Sequence, residues 1–274
     1  VIDRAPPRPF EPPPPHGGLL AGRRGVVLGV SGTNSIGFHV ARALHAHGAT
    51  VAVTCRPRRL SAIAELAGEL GAAAYPVEIA DEASLAAAFA ALGHGGAALD
   101  FMVHGLVDVP QGVLARSLLE LSRADFEHMM SVTTWSLIAA ARYAHPLLIR
   151  STAPRIVALT SACSHRMTPH YHAAGIAKAA LESTVLYLAM QLGRDGVLVN
   201  AVGSSLIATD GAIRAIGEHN AQATRAVQAR RSATGRAIEH DDVAGTVSFL
   251  CSALARNLTG EIVTVDGGFS RSYL

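Results

Sequence analysis

Short apolar runs alternate with longer segments of helical period along most of this 274-residue chain, and that alternation constrains its fold more than any other feature. Gly25 to Val30, Thr50 to Thr54, Ala73 to Val77, Leu99 to His104, Arg155 to Thr160, Val197 to Ala201 and Glu261 to Val265 read as strands. Between them the periodicity predicts helices from Ser35 to about His47, Leu60 to Leu70, from Asp81 onward, Ser122 to Ile149, His170 to Leu192 and Asp241 to Ala253, with a polar helical insertion ending near Ala233. Strands apolar on both faces must be covered on both faces. A helical crossover after each strand returns the chain in the same direction, which makes the sheet parallel.

Seven such strands joined by right-handed crossovers predict an α/β fold, a doubly wound Rossmann sheet in three αβα layers and one domain. The domain is expected over residues 19–274. Residues 1–18 carry seven of the 13 prolines and no apolar signal-like run, and read as a flexible Pro-rich arm. With half the residues hydrophobic and 16% charged, the rest of the chain is not a disordered one. No apolar run reaches 18 residues without a charge, histidine or glycine, so no membrane span is predicted. A formal charge of +2 disfavours nucleic acid as a partner. Cys55, Cys163 and Cys251 lack C-x-x-C spacing and read as reduced thiols of a cytoplasmic protein.

In a doubly wound sheet the ligand lies beyond the carboxyl ends of the strands. The first such turn runs from Gly29 through Ser31, Gly32 and Ser35 to Ile36 and Gly37. Glycine permits a tight turn there, and the free N–H groups at the helix start suit a pyrophosphate. The spacing is not G-x-G-x-x-G, and Thr33 excludes a nucleophile elbow around Ser31. The second strand ends in Cys55-Arg56-Pro57-Arg58-Arg59, without the carboxylate that would hold the ribose hydroxyls of NAD. Three guanidiniums suit a 2′-phosphate and point to NADP, with NAD and a merely solvated basic loop as the other readings.

Of 23 basic residues, 22 are arginine and one is lysine, Lys178. A chain that uses arginine wherever positive charge will serve keeps a lysine where a compact ammonium is needed. Tyr171 stands seven residues earlier, and at 100° per residue the two would share one helical face. An ammonium there can bind ribose hydroxyls and favour a phenolate, and the tyrosine can reach a substrate oxygen.

The segments Gly29-x5-Ser35-Ile36, Tyr171-x6-Lys178, Gly196-Val-Leu-Val-Asn200-Ala and Thr259-Gly-Glu-Ile-Val-Thr-Val-Asp-Gly-Gly-Phe-Ser270 together resemble the short-chain dehydrogenase/reductase superfamily, and within it the divergent branch of bacterial enoyl-acyl-carrier-protein reductases. The resemblance spans about residues 22–270. It implies hydride transfer to the β-carbon of an enoyl thioester, with Tyr171 stabilising the enolate oxygen and Lys178 holding the nicotinamide ribose. It further implies cofactor contacts at Gly29, Ser31, Ser35 and Ile36, Arg56 at the adenosine ribose, Glu78 and Ile79 near the adenine, Gly105 in the turn after the fourth strand, and Ile207 near the nicotinamide. A mobile substrate lid is expected over 204–233, the acyl group riding on a carrier protein or coenzyme A. The long helices around 123–149 and 170–192 imply a homotetramer.

Three positions differ from that family's pattern. His104-Gly105-Leu106-Val107 puts a β-branched side chain where the family has glycine; Ser204-Ser205-Leu206 replaces its Gly-Pro; and Ser161 stands where many members carry an aromatic residue. Ser161 also precedes Lys178 by 17 residues, as does the carbonyl-binding serine of ordinary short-chain reductases, while Ala174 occupies their tyrosine position. Three functions follow: reduction of an enoyl thioester, a scaffold turned to a non-redox reaction or to binding an apolar polyketide-like substrate, and ketone reduction. His104, His165, His170 and His172 fall near the same strand ends, but no metal-binding spacing joins them and no metal is expected.

Overall fold

A strand buried on both sides must be mostly apolar, and the four central strands of this chain carry their polar residues chiefly at or near their ends, Asn200 excepted. The computed structural model describes residues 18–272. Its seven strands are β1 (Arg24–Leu28), β2 (Thr50–Cys55), β3 (Ala73–Pro76), β4 (Phe101–His104), β5 (Arg155–Ser161), β6 (Leu198–Ser204) and β7 (Ile262–Val265). All pair in parallel, in the order β3-β2-β1-β4-β5-β6-β7. Apart from Gly18, the Pro-rich arm expected over 1–18 lies outside the described residues.

The helices are α1 (Ile36–Ala46), α2 (Leu60–Gly68), α3 (Glu82–Leu92), α4 (Arg123–Met130), α5 (Ser136–Leu148), α6 (His172–Leu192), α7 (Asp210–Ile216), α8 (Glu218–Arg231) and α9 (His240–Cys251). Alternate strand residues feed two cores. Val27, Val103 and Val157 pack with Val40, Leu44 and Val247 of α1 and α9 on one face. Val26, Met102 and Ile156 pack with Leu85, Leu137 and Leu181 of α3, α5 and α6 on the other. The period of two along each strand thus sends successive residues into separate apolar layers.

Three local features depart from the sequence reading. The helix expected from Ser122 to Ile149 is α4 and α5 joined by a π-turn at Ser131–Trp135. There the buried Ser136 hydroxyl donates back to Val132 O at 2.5 Å, and Thr134 Oγ1 donates across to Ala177 O of α6 at 2.9 Å. Helix α6 starts at His172, because His170 follows Pro169 with φ of 56°. Strand β6 runs on to Ser204, past the expected end at Ala201. By length and composition alone, His172–Asp195 is apolar enough to cross a membrane. In this fold Leu181, Val185 and Ala189 from it are buried in the core against the sheet.

Gly25 of β1 lies in register with Phe101 of β4, whose ring is fully buried. A Cβ at Gly25 would stand 2.1 Å from the ring of the fully buried Phe101, so the ring would have to shift. Gly25→Ala is therefore expected to lower stability by about 1–3 kcal/mol, the usual cost of overpacking a filled core. Urea titration should show a lower midpoint at unchanged slope; a midpoint equal to the parent's would contradict the packing described.

Candidate active site

The turn after β1 opens the crevice where the sheet's connections diverge. Gly29 has φ of +93°, and a Cβ there would lie 3.0 Å from Gly105 O, so the turns following β1 and β4 meet backbone to backbone. Ser35 caps α1: its hydroxyl accepts from Phe38 N at 3.3 Å and donates to Gly32 O at 2.7 Å. The N–H groups of Ile36 and Gly37 belong to the first helical turn and have no carbonyl partner within the helix. Gly32, with φ of +152°, leaves nearly open space where a side chain would stand. Open room facing first-turn amides fits a pyrophosphate.

Two side chains brace this turn. Arg59 donates to Ser31 O at 2.9 Å, and Asn34 donates to Ala208 O at 3.1 Å and to Asp210 Oδ1 at 3.0 Å. Asn34 thereby ties the turn to the start of α7, in the segment expected to form a lid. Ile207 is buried beside that junction, and the Val107 side chain is half exposed.

Beyond β2 and β3 lies a cleft of about 310 Å³, lined by Arg56, Arg58, Glu78, Ile79, Asp108 and His128 among others. Arg56 pairs with Asp108 at 2.7 Å, and His128 Nε2 lies 3.0 Å from the other Asp108 oxygen. Burial pushes the Asp108 carboxyl up, but the hydrogen bonds and charges of Arg56 and His128 outweigh it and hold the group below the usual carboxylate range. The three-arginine cluster expected at the end of β2 is therefore divided. Arg56 and Arg58 line the cleft, Arg59 turns to the Ser31 carbonyl, and a carboxylate reaches Arg56 from the β4 side.

At the carboxyl end of β5 the buried Lys178 ammonium donates to Leu159 O at 2.7 Å. Burial lowers its pKa to about 8, against the opposing charge of Glu182. Glu182, also buried, accepts hydrogen bonds from Thr160 at 2.7 Å and Ser164 at 2.6 Å through one oxygen. His165 Nε2 stands 2.5 Å from the other oxygen, at ion-pair distance but out of hydrogen-bond alignment. Ser161, the last residue of β5, accepts from Cys163 N at 3.1 Å, donates to Ser204 O at 3.5 Å and lies beside the Tyr171 phenol.

Tyr171 is the N-cap of α6, with φ of −136° and ψ of 2°; its carbonyl accepts from Gly175 N at 2.6 Å and its ring lies beside Gly175, one turn along the helix. Burial pushes its pKa up to about 12, while the neighbouring Ser161 hydroxyl pulls the other way. The phenol is thus kept neutral rather than driven toward phenolate. It opens onto a cavity of about 640 Å³ with Cys163, Ser164, Met167, Ile176 and Ala179 among its walls. Ala174, at the position of a ketoreductase tyrosine, is buried in a small apolar cluster that Tyr171 packs against.

The four histidines do not converge. His104 is fully buried with Nε2 2.7 Å from Ser136 Oγ, and burial and then the Lys178 charge lower its pKa to about 3. His170 and His172 face the Leu114 and Arg116 carbonyls, and His165 lies against Glu182. Among the described residues no three His, Cys, Asp or Glu side chains form a metal-binding group. The sequence reading missed Glu182, Asp108 and His128. Glu182 carried a usable signal, a carboxylate one helical turn beyond the only lysine and on the same face.

Residues 29–270 match the family model described as enoyl-(acyl carrier protein) reductase. The chain is 32% identical over 256 residues to the NADH-linked enoyl-acyl-carrier-protein reductase FabI of Buchnera aphidicola subsp. Baizongia pistaciae, covering 92% of this chain and 96% of that protein. The crystal structure of enoyl-acyl-carrier-protein reductase (NADH) from Aquifex aeolicus is similar at a TM-score of 0.88 and 31% identity, over 94% of this chain and all of that one. The Bacillus cereus enoyl-acyl carrier protein reductase, solved with NADP+ and indole naphthyridinone, matches at 0.88 and 30% identity over 94% of this chain and 100% of its own. With the crevice, the Tyr171-x6-Lys178 spacing and the seven-stranded sheet already in place, these matches show that the chain belongs to the bacterial enoyl-acyl-carrier-protein reductase family of the short-chain dehydrogenase/reductases.

Proposed function

We propose that this protein reduces the carbon–carbon double bond of an enoyl thioester carried on acyl carrier protein, with NADPH as its preferred cofactor. The observation that carries this reading is the Tyr171 phenol at the wall of the larger of the two cavities described, near the strand end that holds the Lys178 ammonium. The nicotinamide cofactor supplies the hydride when bound. Ile36, Gly37 and the α1 cap would hold its pyrophosphate, and Lys178, with two N–H donors beyond the one given to Leu159 O, would hold the nicotinamide ribose. Arg56 and Arg58 line the adenosine-side cleft and favour a 2′-phosphate.

The chemistry needs a donor where negative charge develops. As the β-carbon gains hydride, the π electrons shift toward the α-carbon and the thioester oxygen becomes enolate-like. Tyr171 O–H donates to that oxygen, and burial keeps the proton on the phenol throughout the neutral range. The α-carbon then takes a proton to complete the saturated chain. Ala174 puts a methyl where ketone reduction would need a hydroxyl, which supports the alkene over the ketone.

The same reading places the enzyme in the cytoplasm, where its three free cysteines stay reduced. It also makes the enzyme a homotetramer through the apolar groups that α6 and the π-turn leave exposed, Trp135, Ile176, Leu186, Tyr187 and Met190.

Purified protein given NADPH or NADH should consume cofactor with an enoyl thioester and not with the matched β-ketoacyl thioester; turnover of the ketone alone would overturn the assignment. Tyr171→Phe should lose roughly 100-fold in kcat, the cost of one oxyanion donor, while cofactor Kd stays at the parent value. Cofactor affinity should fall as pH rises through about 8, because Lys178 is charged below that value and neutral above it. Lys178→Arg should remove this dependence and weaken binding, since the planar fork cannot take the ammonium's place. Kd measured by cofactor fluorescence across the pH range checks both; a flat parent profile would contradict the role given to Lys178.

A further inference from the structure

The Arg56–Asp108 pair joins two loops that the sheet holds apart. Arg56 directly follows β2, Asp108 follows β4 by four residues, and β1 lies between those strands. The 2.7 Å contact therefore spans the carboxyl end of β1, across the crevice through which a dinucleotide would run. Both side chains are about one-third exposed and, with Glu78 and His128, line the same cleft. His128 takes the second Asp108 oxygen at 3.0 Å, which fixes the direction of the carboxylate.

We infer that Asp108 is a specificity-determining residue for the cofactor, competing with a 2′-phosphate for the Arg56 guanidinium and offering the ribose hydroxyls of NADH a carboxylate acceptor. This rests on the reading of the cleft as the adenosine site. An incoming phosphate dianion that pairs with Arg56 comes within a few ångströms of a carboxylate already on that guanidinium, and like charges at that separation repel. A cofactor without the phosphate meets no such repulsion, and its ribose O–H groups can donate to Asp108. The acidic residue that a dinucleotide fold ordinarily supplies at the end of its second strand is here supplied from beyond the fourth. Asp108 thus opposes the preference of Arg56 and Arg58, so the two sides of the cleft set cofactor choice by their balance. The charges are partly solvated, which keeps the effect moderate.

The test is calorimetric titration of the parent protein, Asp108→Asn and Asp108→Ala with NADP+ and NAD+, alongside kcat/KM for the reduced forms. The ratio of NAD+ Kd to NADP+ Kd should rise roughly two- to fivefold in Asp108→Asn, the scale of one partly exposed charge pair. It should rise in Asp108→Ala as well, with NADP+ binding tighter and NAD+ weaker in both. A purely structural clasp would shift both cofactors together; an unchanged ratio, or one moving toward NAD+, would overturn the inference. If the folded parent binds neither cofactor, the adenosine-site reading falls and the inference with it. If it binds NAD+ better than NADP+, only the NADPH preference proposed above fails, and the ratio in the variants still decides the role of Asp108.

Discussion

Lys178 and Glu182 stand one turn apart on α6, both withdrawn from water, and the carboxyl end of β5 supplies partners to the ammonium and to one carboxylate oxygen. Removing a single charge from water costs several kcal/mol unless partners replace the lost hydration. Here the replacements come from β5 and the turn that follows it: the Leu159 carbonyl for the ammonium, and the Thr160 and Ser164 hydroxyls for the carboxylate. These bonds fix strand and helix in one relative position. Ser161, between Thr160 and the turn, is thereby placed beside Tyr171. The chemistry proposed for Tyr171 depends on this prearrangement, because a donor that must reorganise as charge develops loses most of its advantage.

The ionisation states around that pair are mutually consistent. Tyr171 keeps its proton, with its pKa pushed up to about 12, and Lys178 keeps its charge below about 8. His104, whose pKa lies near 3, is neutral and does not repel the ammonium. Its tautomer follows from its neighbour. The Ser136 hydroxyl spends its proton on Val132 O, so it must accept from His104 Nε2–H, leaving Nδ1 as a buried acceptor without a partner. The same Ser136 to Val132 bond sits within the π-turn, so the irregular stretch between α4 and α5 is tied directly to the end of β4.

What could be read from the sequence was what short-range patterns encode. Strands largely apolar on both faces gave the parallel sheet, the glycines after β1 gave the turn, and the lone lysine with a tyrosine seven residues earlier gave the two side chains on which the proposed chemistry rests. What could not be read depends on contacts distant in sequence or on backbone irregularities without a compositional mark. Asp108 and Arg56 are separated by 52 residues and meet only because β2, β1 and β4 are neighbours. The π-turn comes from a serine bonding back to its own helix and a threonine bonding to the next one. Helix α6 starts at His172, with Tyr171 as its N-cap, because Pro169 and the left-handed His170 delay its start, which periodicity alone does not mark.

The central claim is that the neutral phenol of Tyr171 and the ammonium of Lys178 serve hydride transfer to a carbon–carbon double bond. Cofactor carrying deuterium at the transferable position of its nicotinamide tests it most directly, with an enoyl thioester as substrate and mass spectrometry of the product. The label should appear at the β-carbon of a saturated thioester. Deuterium on the carbinol carbon of a hydroxyacyl product formed from a β-ketoacyl thioester, with none delivered to the enoyl substrate, would contradict the account.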